Sequence, residues 1–172
     1  MAGAMASSKE RGAAKTASTG MEPGDKAPAF KLALDSGETV SRASLKGRPY
    51  VLYFYPKDNT SGCTREALDF TAARKKFEKL GVTVIGVAKD SLQSQEKFRT
   101  KHMLGVALGS DPDTLVAQAW GVWGEKTLYG RKYMGMERAT FLVDAQGRIV
   151  QAWRKVKVPG HVEAVLDAAK SL

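Results

Sequence analysis

The sequence predicts an α/β fold in which helices flank a central mixed sheet. Residues 50–55 and 82–88 are two short apolar runs, as expected of strands covered on both faces. Between them, residues 63–80 carry apolar side chains at helical spacing. A strand, a crossover helix and a second strand form a βαβ unit, whose two strands are parallel. The segments around this unit supply antiparallel hairpins, so the complete sheet is expected to be mixed.

The chain of 172 residues is expected to hold one folded domain behind a leader. Residues 1–20 are rich in Ala, Ser, Gly and Thr and lack the apolar core of a secretory signal. We therefore predict that residues 1–21 are a disordered leader or tag-like segment and that residues 22–172 form the domain. No stretch approaches the roughly 20 apolar residues of a membrane span, so no membrane partner is expected.

The first half of the domain is predicted to contain a hairpin and the crossover helix. Residues 29–34 and 39–41 are short strand-like segments separated by a turn, which predicts an N-terminal β-hairpin. Gly81 follows residues 63–80 and is expected to end that helix. The apolar stripe of the helix consists of Ala67, Phe70, Ala73, Phe77 and Leu80.

The second half begins with a predicted helix over residues 91–101. Asp111 and Pro112 then predict an N-cap and a first helical residue, for a helix that runs to about Trp120. Residues 121–135 are rich in glycine and aromatic residues, which indicates a loop or an irregular hairpin.

The last elements are a hairpin and a helix. Residues 139–143 and 148–153 alternate around a turn that contains Gly147, which predicts a hairpin. Residues 160–172 are expected to form a terminal helix.

The chain is basic, with a formal net charge of +9. Such a charge can indicate a nucleic-acid partner. Here the cationic residues are spread along the chain, without a basic helix or a basic-aromatic ribonucleoprotein motif. We interpret them as a solvated surface and expect no nucleic-acid partner.

Cys63 is the only cysteine of the chain. It follows the polar turn of residues 56–62, at the predicted beginning of the crossover helix. Pro56 fixes the backbone as it leaves the strand, and Gly62 permits a close approach of other groups. Thr60 places a hydroxyl three positions before the thiol. The spacing alone leaves two interpretations open, a reactive thiolate or a buried and inert cysteine.

A reactive Cys63 requires more than a helix terminus. A free thiol has a pKa of about 8.5, so it is mostly protonated at neutral pH. A hundredfold larger thiolate population requires about 2.7 kcal/mol. A helix N-terminus typically contributes about 0.3–1 kcal/mol. We therefore expect a cation from a distant segment beside the sulfur.

Residues 54–66, Phe-Tyr-Pro-Lys-Asp-Asn-Thr-Ser-Gly-Cys-Thr-Arg-Glu, resemble the active-site motif of peroxiredoxins. They are most similar to the bacterioferritin comigratory protein subfamily, also called peroxiredoxin Q. Four further segments match blocks of that family in order: 24–30, 121–126, 129–135 and 137–144. The resemblance implies a thioredoxin-like fold and the reduction of hydrogen peroxide and organic hydroperoxides through a cysteine sulfenic acid, in antioxidant defence.

The resemblance also implies roles for individual residues. Cys63 matches the peroxidatic cysteine, and Thr60 matches the threonine that hydrogen-bonds the thiolate and the incoming peroxide. Pro56 matches the proline that shields the site from water. Arg138 matches an arginine from a distant segment, the cation that the energies above require. Glu66 lies where the family often has a Glu or Gln that supports the site. We expect neither a cofactor nor a metal.

The chain departs from the family pattern in its thiol content. Many members carry a resolving cysteine at the position of Leu68, and others carry it in the segment that matches residues 98–100. This chain has neither, so an external thiol is expected as the reductant: thioredoxin, glutaredoxin or glutathione. Ser61 replaces the usual proline, with little expected loss. The lone cysteine also fits a reducing compartment, so we expect a cytoplasmic protein, either a monomer or a weak dimer.

Two other functions also use a single reactive cysteine. A thioredoxin-fold redox sensor or binding protein would pass the oxidation of Cys63 to a partner instead of clearing peroxide. A cysteine–histidine hydrolase is disfavoured, because neither His102 nor His161 lies in a motif with Cys63. Lys57 and Asp58 are expected to form a solvated pair in the loop.

Overall fold

The computed structural model describes residues 21–172. The predicted leader therefore lies outside the described residues, apart from Met21. That residue is partly buried and packs against the hydrophobic core.

A seven-stranded mixed sheet forms the centre of the described part of the chain. The strands are β1 (Lys31–Leu34), β2 (Thr39–Ser41), β3 (Tyr50–Phe54), β4 (Thr83–Ala88), β5 (Ala107–Ser110), β6 (Trp123–Leu128), β7 (Arg131–Met136), β8 (Ala139–Val143) and β9 (Ile149–Trp153). The strand order of the sheet is β2-β1-β5-β4-β3-β8-β9, and β6 and β7 form a separate two-stranded sheet. β3 pairs in parallel with β4 and antiparallel with β8, which confirms the predicted βαβ unit and the mixed sheet.

The predicted crossover helix is two helices in the structure. Ala73, with φ −91° and ψ 1°, leaves the helical conformation and separates them. The break shifts the apolar stripe, so that Phe77 remains buried whereas Leu80 is 39% exposed. The helices of the described residues are α1 (Ser61–Ala72), α2 (Arg74–Lys79), α3 (Leu92–His102), α4 (Leu115–Ala119) and α5 (His161–Ala169).

The central strand β3 separates two hydrophobic clusters. Every residue of β3 is buried, and successive side chains point to opposite faces of the sheet. Leu52 and Phe54 pack into one cluster with Trp120. Tyr53 packs into the other cluster with Cys63. The single cysteine therefore lies on the face of the sheet that α1 covers.

Two further elements differ from the sequence prediction. α4 begins at Leu115 instead of Pro112, because Thr114 precedes it with φ 61°. The N-cap residue is therefore Thr114 instead of Asp111. The carboxylate of Asp111 nevertheless accepts hydrogen bonds from the backbone N–H groups of Val116 and Ala117 at 3.1 and 2.8 Å, in the first turn of the helix.

The segment predicted as a loop or irregular hairpin forms a regular one. β6 and β7 pair through six residues each. The two residues between them, Tyr129 and Gly130, both have positive φ, at 52° and 77°. Two such residues match the twist of the flanking strands, which explains the regular pairing.

The remaining hairpins follow the sequence prediction. β1 pairs antiparallel with β2, and β8 pairs antiparallel with β9. α5 covers the predicted terminal helix but ends at Ala169. None of the helices in residues 21–172 has the combination of length and hydrophobicity that a membrane crossing requires.

Candidate active site

Cys63 is the third residue of α1, just beyond the carboxyl end of β3. Thr60 precedes the helix in an extended conformation and is its N-cap residue. The first turn of a helix carries backbone N–H groups without helical partners, which favour a negative charge. The side chain of Cys63 is only 1% exposed. The fold thus places a buried sulfur at the end of the helix where backbone N–H groups favour negative charge.

Arg138 lies between β7 and β8 and reaches both Cys63 and Glu66. Its Nη2 donates to Sγ of Cys63 at 3.4 Å, and its Nη1 donates to Oε1 of Glu66 at 2.8 Å. The Glu66 side chain is completely buried, and the Arg138 side chain is 17% exposed. The cation that the sequence requires beside the sulfur is therefore present, and three of the five predicted site residues are in direct contact.

Gly62 lets Arg138 approach this turn closely. A Cβ atom at position 62 would lie 3.1 Å from Nη2 of Arg138. Such a distance is tighter than an ordinary van der Waals contact, so a side chain there would require the guanidinium to shift by a few tenths of an ångström.

The other two predicted site residues are not in contact with the sulfur. Thr60 is exposed, and its hydroxyl donates to the carbonyl oxygen of Lys57 at 3.0 Å instead of bonding to Cys63. Pro56 follows the end of β3 and is partly buried. The proposed contacts of Thr60 and Pro56 with a reactant remain predictions.

His161 also belongs to this cluster, which no motif in the sequence indicates. It is the first residue of α5 and is 6% exposed. Its Nε2 lies 2.8 Å from Oγ1 of Thr140 and 3.9 Å from Oε2 of Glu66. Burial, with a smaller effect of Arg138, lowers the pKa of His161 to about 4. The imidazole is therefore neutral at physiological pH.

Glu66 has an unusual environment for a carboxyl group. Burial raises its pKa to about 7, although Arg138 opposes this shift. Its Oε2 atom is buried and has no hydrogen-bond partner among the described residues. Glu66 therefore exchanges a proton near neutral pH, next to the reactive sulfur.

Asp58 is not the solvated loop residue that the sequence suggested. It is 7% exposed, and its carboxylate accepts hydrogen bonds from the hydroxyls of Tyr55 and Ser94, each at 2.7 Å. Its backbone N–H donates to Oδ2 of Asp90 at 2.8 Å. Lys57 is exposed, as expected. Asp58 thus fastens the loop before Cys63 to the beginning of α3.

A second contact ties the same loop to the end of α3. Asn59 has φ 61°, a left-handed conformation that Asn tolerates better than most residues. Its Oδ1 atom lies 2.8 Å from Nε2 of His102. The loop that precedes Cys63 is therefore held at both ends of α3.

We expect Asp58→Asn to change the pH dependence of stability. Burial, with a smaller effect of Asp90, raises the pKa of Asp58 from 3.8 to about 6. The folded state therefore binds this proton more tightly than the unfolded chain. The stabilisation is complete below the unfolded value and is lost as the pH rises through about 6. The variant has no such titration, so the free energy of unfolding of the wild type should fall relative to the variant over this range.

Urea unfolding of both proteins at about pH 5 and about pH 8 measures this change. The exposed Asp167→Asn is the matched control and should show the same difference from the wild type at both pH values. A difference between Asp58→Asn and the wild type that stays constant with pH would contradict the assignment.

The arrangement suits a nucleophilic cysteine. The sulfur lies in the first turn of a helix and beside a guanidinium, and the anionic form of a thiol is the one that attacks electrophiles. Within residues 21–172, no group of three or more His, Cys, Asp or Glu side chains is placed to hold a metal ion.

Comparisons with known proteins place this site in a family. Residues 23–152 match the model of the AhpC/TSA family. The chain is 46% identical over 152 residues to Peroxiredoxin Bcp of Bacillus subtilis, which covers 88% of this chain and 97% of that protein. It is 47% identical over 146 residues to a putative peroxiredoxin Bcp of Coxiella burnetii, which covers 85% of this chain and 97% of that protein.

Solved structures give the same result. Peroxiredoxin Q of Xanthomonas campestris superimposes with a TM-score of 0.79 at 44% identity, over 83% of this chain and 90% of the other. A PrxQ mutant of Xylella fastidiosa superimposes with a TM-score of 0.83 at 40% identity, over 88% and 96%. The thioredoxin-like fold expected from the sequence is therefore confirmed. The chain belongs to the AhpC/TSA family and, within it, to the peroxiredoxins of the Bcp or peroxiredoxin Q type.

Proposed function

We propose that this chain is a thiol-dependent peroxidase that reduces hydrogen peroxide and organic hydroperoxides at Cys63, in antioxidant defence and redox homeostasis. The contact of 3.4 Å between Nη2 of Arg138 and Sγ of Cys63 carries this proposal. It places a fixed cation beside a thiol in the first turn of a helix. A 44% identical structure, that of the Xanthomonas campestris bacterioferritin comigratory protein, is described in terms of alkyl peroxide reduction activity.

The reaction begins at the sulfur of Cys63. The Cys63 thiolate attacks one peroxide oxygen, an S–O bond forms, and the O–O bond breaks. The electron pair of the broken bond goes to the departing oxygen, which takes up a proton and leaves as water or an alcohol. Cys63 becomes a sulfenic acid. Arg138 stabilises the thiolate first and then the charge that grows on the departing oxygen.

The other site residues act around this step. Glu66 fixes the guanidinium of Arg138 through its 2.8 Å hydrogen bond. The Thr60 hydroxyl gives up its hydrogen bond to the carbonyl oxygen of Lys57 and donates one to the bound peroxide instead. The exposure of Thr60 supports this role. Pro56 limits the access of water to the sulfur. Residues 22–172 form the peroxidase domain.

The second half of the cycle depends on another molecule. Leu68 occupies a position at which many relatives have a resolving cysteine, and its side chain is 39% exposed on α1. The chain has no other thiol. An external thiol therefore attacks the sulfenic acid, releases water and forms a mixed disulfide, which a further thiol reduces. We assign this role to thioredoxin, glutaredoxin or glutathione, in the cytoplasm, acting on a monomer or weak dimer.

Stopped-flow mixing of the reduced protein with stoichiometric hydrogen peroxide tests the first half. We expect rapid consumption of peroxide by the wild type, none above background by Cys63→Ser, and a sulfenic acid that can be trapped at Cys63. A wild-type rate no higher than that of a free thiol in solution would contradict the peroxidase.

The same preparation distinguishes an enzyme from a redox sensor. Steady-state turnover is measured with thioredoxin, with glutathione, and with glutathione plus glutaredoxin. An enzyme turns over rapidly with at least one of these reductants. Slow turnover with all of them, after rapid oxidation of Cys63, would favour a sensor.

A further inference from the structure

Among the described residues, the active site brings together two groups that can become anions, the Cys63 thiol and the Glu66 carboxyl, and one cation, Arg138. The guanidinium of Arg138 lies between them, with Nη2 at 3.4 Å from Sγ of Cys63 and Nη1 at 2.8 Å from Oε1 of Glu66. Both acidic side chains are almost completely buried, at 1% and 0% exposure. The single positive charge of Arg138 compensates one buried negative charge. A second buried negative charge would have no partner, so keeping it ionised would cost free energy.

Within the part of the chain that the structure describes, the groups around this cluster supply no second cation. His161 of α5 lies 3.9 Å from Oε2 of Glu66, but burial lowers its pKa to about 4 and keeps it neutral. Tyr53 of β3 is also neutral, because burial raises its pKa. Asp69 of α1 is negative and raises the pKa of Glu66 further. Arg65 forms a salt bridge with Asp69, with Nε 3.3 Å from Oδ1, and its side chain is 73% exposed. Arg65 is therefore directed to Asp69 and the solvent.

We propose that Glu66 holds a proton while Cys63 is a thiolate and gives it up when Cys63 is oxidised, so that the site keeps one negative charge throughout the reaction. This inference rests on the proposed peroxidase function. Oε2 of Glu66, buried and without a partner among the described residues, is the atom that carries the proton.

The reaction balances with this stored proton. Before attack, the site contains a thiolate, a carboxylic acid and the guanidinium. The thiolate takes one peroxide oxygen and becomes a neutral sulfenic acid, and the other oxygen leaves with the electron pair of the O–O bond. Glu66 loses its proton and becomes the anion that Arg138 compensates, and the departing oxygen gains one. The protein and peroxide together take no proton from the solvent, whereas a thiolate without this store takes up one.

Proton counting tests the proposal. Wild type and Glu66→Gln are mixed with stoichiometric peroxide in weakly buffered indicator solution at about pH 8. The pKa of about 7 that burial gives Glu66 includes no charge on Cys63, so at this pH the carboxyl is ionised once the sulfur is neutral. A thiolate beside it raises that pKa further and keeps the proton on Glu66 before oxidation. The thiolate fraction is read beforehand from its ultraviolet absorbance, with Cys63→Ser as the blank. Trapping of the sulfenic acid confirms that the oxidation itself has occurred.

We expect the wild type to contain thiolate and yet to take up almost no protons. Glutamine resembles the protonated carboxyl, so Glu66→Gln should retain the thiolate and take up one proton for each thiolate oxidised. Glu163→Gln, which changes an exposed carboxylate of α5, should behave like the wild type.

Three results would overturn the proposal. The first is a wild type whose proton uptake equals its thiolate fraction. The second is a Glu66→Gln variant that loses the thiolate. The third is a Glu66→Gln variant that takes up no protons despite its thiolate, which would place the negative charge on the oxidised sulfur. Absence of any sulfenic acid would instead contradict the peroxidase function itself.

Discussion

Replacement of Arg138 by Met should slow the reaction of Cys63 with hydrogen peroxide by about 10²–10³-fold, the usual effect of removing a preorganised donor to a developing charge. Methionine retains much of the length of the side chain but provides neither the charge nor the two N–H donors. The thiolate loses its 3.4 Å partner, and the departing oxygen loses the group that stabilises it. Stopped-flow rates at several peroxide concentrations measure the effect.

Two variants make this result specific. Arg131→Met removes the same charge from an exposed position on β7 and should leave the rate unchanged. Arg138→Lys retains the charge but not the fork that contacts both Sγ and Oε1, so an intermediate rate is expected. Glu66 can take up a proton in the absence of Arg138, so the fold should persist, as circular dichroism would show. An unchanged rate for Arg138→Met would remove Arg138 from the mechanism.

Gly86→Ala should destabilise the fold by about 1–3 kcal/mol, the usual cost of overfilling a core. Gly86 of β4 is paired with Tyr53 of β3. A Cβ atom at Gly86 would lie 2.6 Å from the Tyr53 ring and 2.7 Å from its hydroxyl. The ring cannot move freely, because it stacks on Phe70 of α1 with centroids 4.5 Å apart. A shift of Tyr53 would therefore be transmitted to the helix that carries Cys63.

Urea unfolding measures this loss of stability, with two comparisons. Gly124→Ala, in a strand where a Cβ atom would meet nothing within 4 Å, should have almost no effect. Tyr53→Phe removes a buried hydroxyl that has no partner among the described residues and should be nearly neutral alone. Combined with Gly86→Ala, it should recover part of the stability. A Gly86→Ala variant as stable as Gly124→Ala would show that the strands adjust without strain.

Both predictions concern the residues that position Cys63. Arg138 sets the charge beside the sulfur, and Tyr53 and Phe70 set the position of α1 on the sheet. The loop before Cys63 is fixed independently, through Asp58 and Asn59, to α3. Three separate parts of the chain thus fix the sulfur, α1 and the loop before it, which leaves little freedom for the orientation of Cys63 relative to Arg138.

The sequence predicts the helices and strands near Cys63 because the patterns that indicate them involve residues close together in the chain. Apolar runs identified β3 and β4, and the turn before Cys63 identified the beginning of α1. The boundaries were less accessible. No glycine or proline marks the break at Ala73, so the sequence pattern predicts one helix over residues 63–80 with Leu80 on its apolar stripe. The regular β6–β7 hairpin depends on a left-handed Tyr129, which is unusual for that residue.

The sequence predicts only part of the site, for a different reason. Cys63, Thr60 and Pro56 lie in one motif, and the resemblance to peroxiredoxins pointed to Arg138 and Glu66. Nothing in the sequence associates His161 with Glu66, because the two residues lie far apart in the chain and on different helices. The polar turn predicts a solvated Asp58. Its burial depends on the packing of α3 against the loop, which composition does not reveal.

The sequence by itself determined the chemistry that is available to this protein: one thiol after a strand, at the beginning of a helix, with no second thiol to resolve it. It also determined that a cation was needed, since a helix terminus contributes too little energy to keep a thiolate at neutral pH. Only the tertiary structure decided how the charges are shared. A buried carboxyl, a neutral imidazole and the thiol meet around a single guanidinium because α1, α5 and the β7–β8 connection pack together. Charges in such a low-dielectric site depend on distances of a few ångströms between distant segments, which no local pattern encodes.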